Sequence, residues 1–358
     1  MPNRRSAGLA IASALAGAAA GTPSGAAARA AAAPRKVRVW ATTDRPLVQP
    51  LIDDFEQRHA PWQVDYEALG SQTLHERFLA ADGAGADVLW SSAMDLQIKL
   101  VNDGHAQRHA SEHAGGLPHG AVWKHEAFAT TWEPVALVHH RALLDSASAP
   151  DSHAALRVLL QQQRARFHQR VATYDIERAG LGFLLAAQDL QASSDAWPLL
   201  EALRHCGAEL HADTQALLDG VAAGRTLLAY NVLGPYAEAF AQRHPDLVVV
   251  YPRDYTLIAS RVALIPRRAP QPEGARLWLD HLLSPAGQHV LAERCGLYSV
   301  RADSSLPRSA AGLQQRLGRA ARPIPLGPGL IAHLDRSKRQ AILRRWQRAG
   351  DVAVQHLK

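Results

Sequence analysis

Hydrophobic and polar positions fall into two series along this chain. Lys36 to Trp40 (KVRVW) alternates and predicts a strand, with Ala41-Thr42-Thr43-Asp44 as the loop at its end. Leu47, Leu51, Ile52 and Phe55 then share one face of a helix spanning Leu47 to His59. Gln63 to Ala68 predicts a second strand, and Gly70-Ser71 opens a helix through Leu79 with Ser71 as its N-cap. Asp87 to Trp90 (DVLW) reads as a third strand running into Ser91-Ser92, followed by a helix from Met94 to Asn102 that Gly104 stops. Strands alternating with helices predict a parallel α/β sheet.

The pattern changes at Ala127 to His140 (AFATTWEPVALVHH), a long extended run with Pro134 inside it. Such a strand suits a sheet edge or a crossing between domains. A second α/β series follows. It comprises a strand from Arg170 to Tyr174, helices near Gly180–Gln191 and Trp197–Cys206, and an apolar run before Asn231. Leu247 to Tyr251 and Leu257 to Ile265 are further extended runs, and Glu273 to Leu283 predicts a helix. Beyond Gly296 the chain is Arg-rich and loop-like until a final helix from about Gly329 to Trp346. The second series lies inside the first, between two extended crossings. Two lobes, a hinge and a cleft are therefore expected, with ligand at the carboxyl ends of the strands. The loops there are rich in hydroxyls, amides and glycine: Thr42-Thr43, Gly70-Ser71, Ser91-Ser92, Asp175 to Gly180, and Asn231 to Tyr236.

Composition adds a leader and removes several function classes. Arg4 and Arg5 precede an apolar run, Ala7 to Ala20, and A-x-A sites lie between Gly25 and Ala33. This is the pattern of a secretory signal peptide over residues 1–33, cut between about residues 25 and 33, and it predicts a periplasmic protein. The run is too short and Ala-rich to span a bilayer, and no cysteine follows it to carry a lipid. The leader holds Arg4, Arg5 and Arg29 and no acid, so its removal lowers the net charge from +6 to +3. That modest charge argues against nucleic-acid binding. Cys206 and Cys295 are too few for a disulfide framework. They fall in different expected lobes, so no bond between them is expected.

Five stretches carry a resemblance: ADVLWSS at 86–92, TTWEPVALVHH at 130–140, RVATYDIERAGLGFLLAAQD at 170–189, DYTLIASRVALIP at 254–266 and ARLWLDHLLSPAGQHVLAE at 275–293. Together they resemble the substrate-binding proteins of bacterial ABC importers, in the iron(III)-type group of the two-lobed (type 2) periplasmic binding fold. The tail PIPLGPGLIAHLDRSKRQAILRRW at 323–346 looks like the phosphoglycerate-transport regulatory subgroup. The resemblance implies residues 34–132 as the first part of lobe 1, 133–256 as an inserted lobe 2, and 257–358 as the rest of lobe 1 with a C-terminal helical tail. It implies a monomer that captures a small organic anion, phosphorylated ones included, and delivers it to an inner-membrane ABC permease. No catalytic residue, cofactor or resident metal is expected. Two rivals stay open in binding: a ferric-iron carrier of the same fold, and a periplasmic sensor that reports to a two-component kinase.

Resembling proteins that hold ferric iron use a His, a Glu and an adjacent Tyr pair. Here those places carry Thr43-Asp44, Ser91-Ser92 and NVLGPY, with one tyrosine. Fe(III) is a hard cation that favours anionic oxygen donors. Neutral donors and helix N-termini suit an oxyanion better. The expected ligand contacts are Thr42, Thr43, Ser71, Ser91, Ser92, Thr173, Asp175, Arg178, Gly180, Asn231, Tyr236 and Tyr255. Three other constellations were weighed. His105, His109 and His113 have zinc-like spacing, but glycines flank them. Asp175 and Glu177 form an acid/base pair in type, without a nucleophile motif. The basic tail from Arg336 to Arg348 reads as a solvated helix face with a partner contact as the alternative.

Overall fold

A computed structural model describes residues 34–145 and 147–355. The expected leader and its cleavage site lie outside the described residues. The chain runs β1 (Arg35–Ala41), α1 (Arg45–Arg58), β2 (Trp62–Ala68), α2 (Ser71–Ala80), β3 (Val88–Ser91), α3 (Met94–Asn102), β4 (Val122–Trp123) and β5 (Ala127–Ala129). It continues through β6 (Glu133–His140), α4 (His153–Gln162), α5 (Arg164–Phe167), β7 (Val171–Tyr174), α6 (Gly180–Ala192), α7 (Ala196–His205), β8 (Glu209–His211) and α8 (Thr214–Ala222). Then come β9 (Leu228–Leu233), α9 (Gly234–Arg243), β10 (Leu247–Val250), β11 (Thr256–Ala259), β12 (Val262–Leu264), α10 (Pro272–Leu283) and α11 (Pro285–Glu293). The tail forms α12 (Ala310–Leu317), β13 (Ala321–Pro323) and α13 (Arg336–Gln355).

These elements build two mixed sheets, each flanked by helices. The first has strand order β2-β1-β3-β12-β5-β4, parallel across β2-β1-β3 and antiparallel beyond. The second has order β13-β11-β6-β9-β7-β8, with β10 paired to β6. The α1 face predicted from periodicity is buried through Val48, Leu51, Ile52 and Phe55. By contrast α6 is buried almost all round from Gly180 to Asp189, as befits a helix covered on every side.

The two long extended runs each break into two strands of different sheets. Ala127 to His140 becomes β5 in the first sheet and β6 in the second, joined by Thr130-Thr131-Trp132. Leu257 to Ile265 becomes β11 and β12, joined by Ser260-Arg261. Both joints are hinge crossings, and they are tied together. Thr130 donates from its backbone N–H and from Oγ1 to the Arg261 carbonyl, at 2.9 and 2.8 Å. The Trp90 indole N–H donates to Thr130 Oγ1 at 2.7 Å. Pro134 sits in β6 opposite Ile258, next to the crossing.

The C-terminal segment departs from expectation. Residues 257–358 are expected in lobe 1, yet β11 and β13 join the second sheet. Helix α13 packs on α7, and its Trp346 and Ile342 enter the core that holds Leu199 and Leu203. The apolar stripe of α13 finds its cover there and not on the first sheet. The final helix also begins later than predicted, at Arg336, after a 3-10 turn over Pro328–Ile331. The two cysteines are free and buried in separate cores.

Candidate functional site

A cleft of about 340 Å³ opens where the carboxyl ends of strands from both sheets meet. The first sheet contributes Thr42 and Asp44 after β1, Leu69 to Ser71 after β2, and Ser92 after β3. The second contributes Tyr174 at the end of β7, Asp213 to Gln215 after β8, and Leu233 with Tyr236 around the start of α9. Arg261 reaches the same space from the second crossing.

Arg261 organises the floor. It is 1% exposed, and its Nε lies 2.9 Å from Oε1 of the equally buried Glu133 on β6. Its Nη1 approaches the Thr42 carbonyl and Oγ1 at 3.4 Å, and its guanidinium lies 5.4 Å from the Tyr236 ring centroid. One side chain thus joins the crossing, the first wall and the second wall. Burial alone would lower the guanidinium pKa, but Glu133 and the facing tyrosines outweigh it and hold Arg261 firmly charged. Burial raises the Tyr236 hydroxyl pKa, with Arg261 opposing, so this phenol stays neutral. Ser92 and Thr42 hold each other. The Ser92 N–H donates to Thr42 Oγ1 at 3.0 Å, and the two hydroxyls are 3.3 Å apart.

Helix starts complete the polarity. Helices α1, α2, α6 and α9 begin at the cleft, and none has a side-chain cap. Among the other helices, Ser152, Ser284 and Ser309 cap α4, α11 and α12, while α3, α5, α7 and α10 lack a side-chain cap as well. The exception at the cleft is α8, where Asp213 Oδ1 accepts from Ala216 N–H at 2.8 Å. Uncapped first-turn N–H groups carry partial positive charge into the cleft.

Two glycines set the close approach of its walls. A Cβ on Gly234 would lie 2.6 Å from the Pro134 carbonyl oxygen and 2.6 Å from Tyr251 Oη. Gly234 and Pro235 therefore turn β9 into α9 directly beside the first crossing, and Tyr236 follows into the cleft. A Cβ on Gly180 would lie 2.9 Å from Ser71 Oγ and 3.1 Å from Leu96 Cδ1. The start of α6 thus abuts helices α2 and α3 of the first sheet.

Of the twelve predicted contacts, Thr42, Ser71, Ser92 and Tyr236 line the cleft. Gly180 stands at its edge beside Leu181. Thr43 is fully buried behind the wall, and its carbonyl accepts from the Tyr66 hydroxyl at 2.7 Å. Ser91 Oγ turns to Ala93 N–H, and Thr173 Oγ1 turns to the Tyr230 carbonyl at 3.4 Å. Asp175 caps Glu177 N–H, while Arg178 lies 3.8 Å from Asp175 with 83% of its side chain exposed. Asn231 and Tyr255 both donate to Asp189, at 2.7 and 3.0 Å. Asn231 belongs to β9 in the left-handed conformation (φ 62°), and its amide turns away from the cleft because a buried carboxylate attracts it.

Arg261, Asp44, Tyr174, Asp213 and Thr214 line the cleft as well, outside the expected contacts. The signal for Arg261 was present: a lone cation inside an apolar run, which a core tolerates only when it is paired. The His105–His113 spacing has no helix beneath it, since Glu112–Gly116 is a 3-10 turn and His109 pairs with Asp280 at 2.8 Å. Among the described residues no three His, Cys, Asp or Glu side chains converge to hold a metal.

The family model for bacterial extracellular solute-binding proteins matches residues 37–294. This chain belongs to that family. It is similar to the substrate-binding protein of the ABC transporter from Agrobacterium tumefaciens, with 35% identity over 88% of this chain and 94% of that one, at a TM-score of 0.84. The periplasmic binding protein AfuA from Actinobacillus pleuropneumoniae, solved with exogenous fructose-6-phosphate, shares the fold at 14% identity and a TM-score of 0.71, over 87% and 97% of the chains. Iron-bound HitA from Pseudomonas aeruginosa shares it at 15% identity and a TM-score of 0.67, over 88% and 100%. No curated protein matches the chain at a significant level. The chain is a solute-binding protein of an ABC transporter with the type 2 periplasmic fold, and its family is a transport family and not one of enzymes.

Proposed function

We propose that this protein binds a small organic anion, phosphorylated ones included, between its two sheets and hands it to an inner-membrane ABC permease. The observation that carries the reading is the meeting of the buried Arg261 with the Thr42–Ser92 hydroxyl pair and four uncapped helix starts. Each of these favours an oxyanion, and the closed arrangement alone lets both walls contact it. The anion-site role falls to Thr42, Ser71, Ser92, Tyr236 and Arg261, with Gly180 admitting the start of α6. The lobes on this reading are the two sheets with their helices, and the tail from β13 onward belongs with the second. The protein acts as a monomer in the periplasm after loss of its leader.

Mass spectrometry of small molecules released by denaturing the purified protein tests the proposal. A phosphate- or carboxylate-bearing compound at one per chain is the expected result. One iron per chain, with the visible band of an Fe(III)–tyrosinate on adding ferric citrate, would overturn it in favour of a metal carrier.

A further inference from the structure

The cleft is not uniformly suited to negative charge. Asp44 occupies the N-cap position of α1, where aspartate ordinarily turns back to accept from the helix N–H groups. It makes no such cap, and among the described residues no hydrogen bond or ion pair is formed by its carboxylate. It lines the cleft instead, exposed to it. Across the cleft Asp213 spends only Oδ1 on its own helix, at Ala216 N–H. Beside it the Tyr174 hydroxyl and Thr214 Oγ1 are 2.5 Å apart. Among the described residues that line the cleft the one cation, Arg261, already faces Glu133. Taken with Glu133, the charged lining sums to a net of two negative charges. A bare dianion would meet attraction at the helix starts and repulsion from both carboxylates.

We infer that the ligand is a bifunctional anion, whose phosphate or carboxylate sits at Arg261 and the helix starts while hydroxyl or ammonium groups elsewhere on it donate to Asp44 and Asp213. Sugar or polyol phosphates and amino-phosphates share this chemistry; simple alkyl phosphates lack it. Hydrogen bonds to charged acceptors are strong enough to select between the two. The inference rests on the anion reading above.

Calorimetry on protein freed of bound ligand by unfolding and refolding separates the cases. The probes are glycerol 3-phosphate, fructose 6-phosphate, phosphoethanolamine, propyl phosphate and inorganic phosphate. At least one donor-bearing probe is expected to bind ten times or more tightly than propyl phosphate. Whether the sugar and polyol phosphates or phosphoethanolamine leads tells hydroxyl from ammonium. Asp44→Asn, at an exposed and uncapped position, is expected to weaken the leading probe about tenfold and to leave inorganic phosphate unchanged or bound more tightly, because a repulsive charge is gone. Propyl phosphate binding as well as every donor-bearing probe, or Asp44→Asn tightening all of them, overturns the inference while leaving the anion reading in place. Glycerol and ethanolamine are run as phosphate-free controls, and either binding as tightly as its phosphate overturns the anion reading itself. Should all five probes fail, the co-purified compound decides: an anion without hydroxyl or amino groups refutes the inference.

Discussion

Two polar clusters, one around Asp189 and one lining the cleft, differ in one respect. Around Asp189 the polar groups are sealed: Tyr230 Oη and Asn231 Nδ2 donate to Oδ2, each at 2.7 Å, and Tyr255 Oη donates to Oδ1 at 3.0 Å. His153 stacks on Tyr255 at 3.9 Å and pairs with Asp254 at 2.9 Å. Asp189 is wholly buried. Around the cleft, the starts of α1, α2, α6 and α9 lack side-chain caps, and among the described residues the Asp44 carboxylate forms no hydrogen bond or ion pair. The two differ in saturation. A saturated cluster holds the chain in place, and an unsaturated one is what a ligand completes. Asn231 and Tyr255 belong to the first kind, although their chemistry suits the second.

The largest effect expected from this difference is on stability. Asp189→Ala leaves three buried donors without an acceptor, and should cost about 3–5 kcal/mol in urea unfolding. Asp44→Ala, by contrast, should stay within about 0.5 kcal/mol. Equal losses at the two positions would erase the distinction between sealed and open groups.

Acid probes buried imidazoles outside both clusters next. Burial lowers the His281 pKa to about 4, although the Asp54 carboxylate 3.5 Å away opposes it. The unfolded chain takes up that proton near pH 6.5 and the folded one only near 4. Stability is therefore complete above about pH 6.5 and lost as pH falls toward 4, by about 2–3 kcal/mol. His75 and His139, lowered by burial as well, act in the same direction. Asp95 and Asp189, raised by burial, act in the opposite direction. The test is therefore the difference from His281→Gln: wild type should lose about 2–3 kcal/mol more than the variant between pH 7 and pH 4. Parallel profiles would mean that burial does not hold this imidazole neutral.

The smallest effect concerns the open cleft. Gly180→Asp sets a side chain against Ser71 Oγ and a charge beside the helix start. The co-purified ligand should bind at least roughly tenfold more weakly, about 1.4 kcal/mol, with circular dichroism unchanged. Wild-type affinity in this variant would remove the start of α6 from the site.

Much of the fold was legible because its elements follow local periodicity. The first three strands and helices appear within one or two residues of expectation, since alternation and a 3.6-residue stripe report burial directly. The long runs at 127–140 and 257–265 were read as continuous strands. The polar residues at the crossings, Thr130-Thr131 and Ser260-Arg261, interrupt the runs, but a local break does not say that the strand beyond it joins another sheet. Helix α11 went unread despite Ser284-Pro285, a capping residue followed by a helix-start proline. In the cleft, Thr42, Ser71, Ser92 and Tyr236 were found because strand-end loops are where ligands sit in open α/β sheets.

The sequence by itself determined the α/β class, the crossings as regions of the chain, the family resemblance and the strand ends that carry the cleft. Tertiary structure alone decided which polar groups are spent. Asn231 faces Asp189, 42 residues away, and Arg261 faces Glu133, 128 residues away. Tail helix α13 lies on α7, where apolar faces far apart in sequence cover each other. Hydrogen-bond satisfaction and burial depend on distances between remote segments, and no local pattern encodes them.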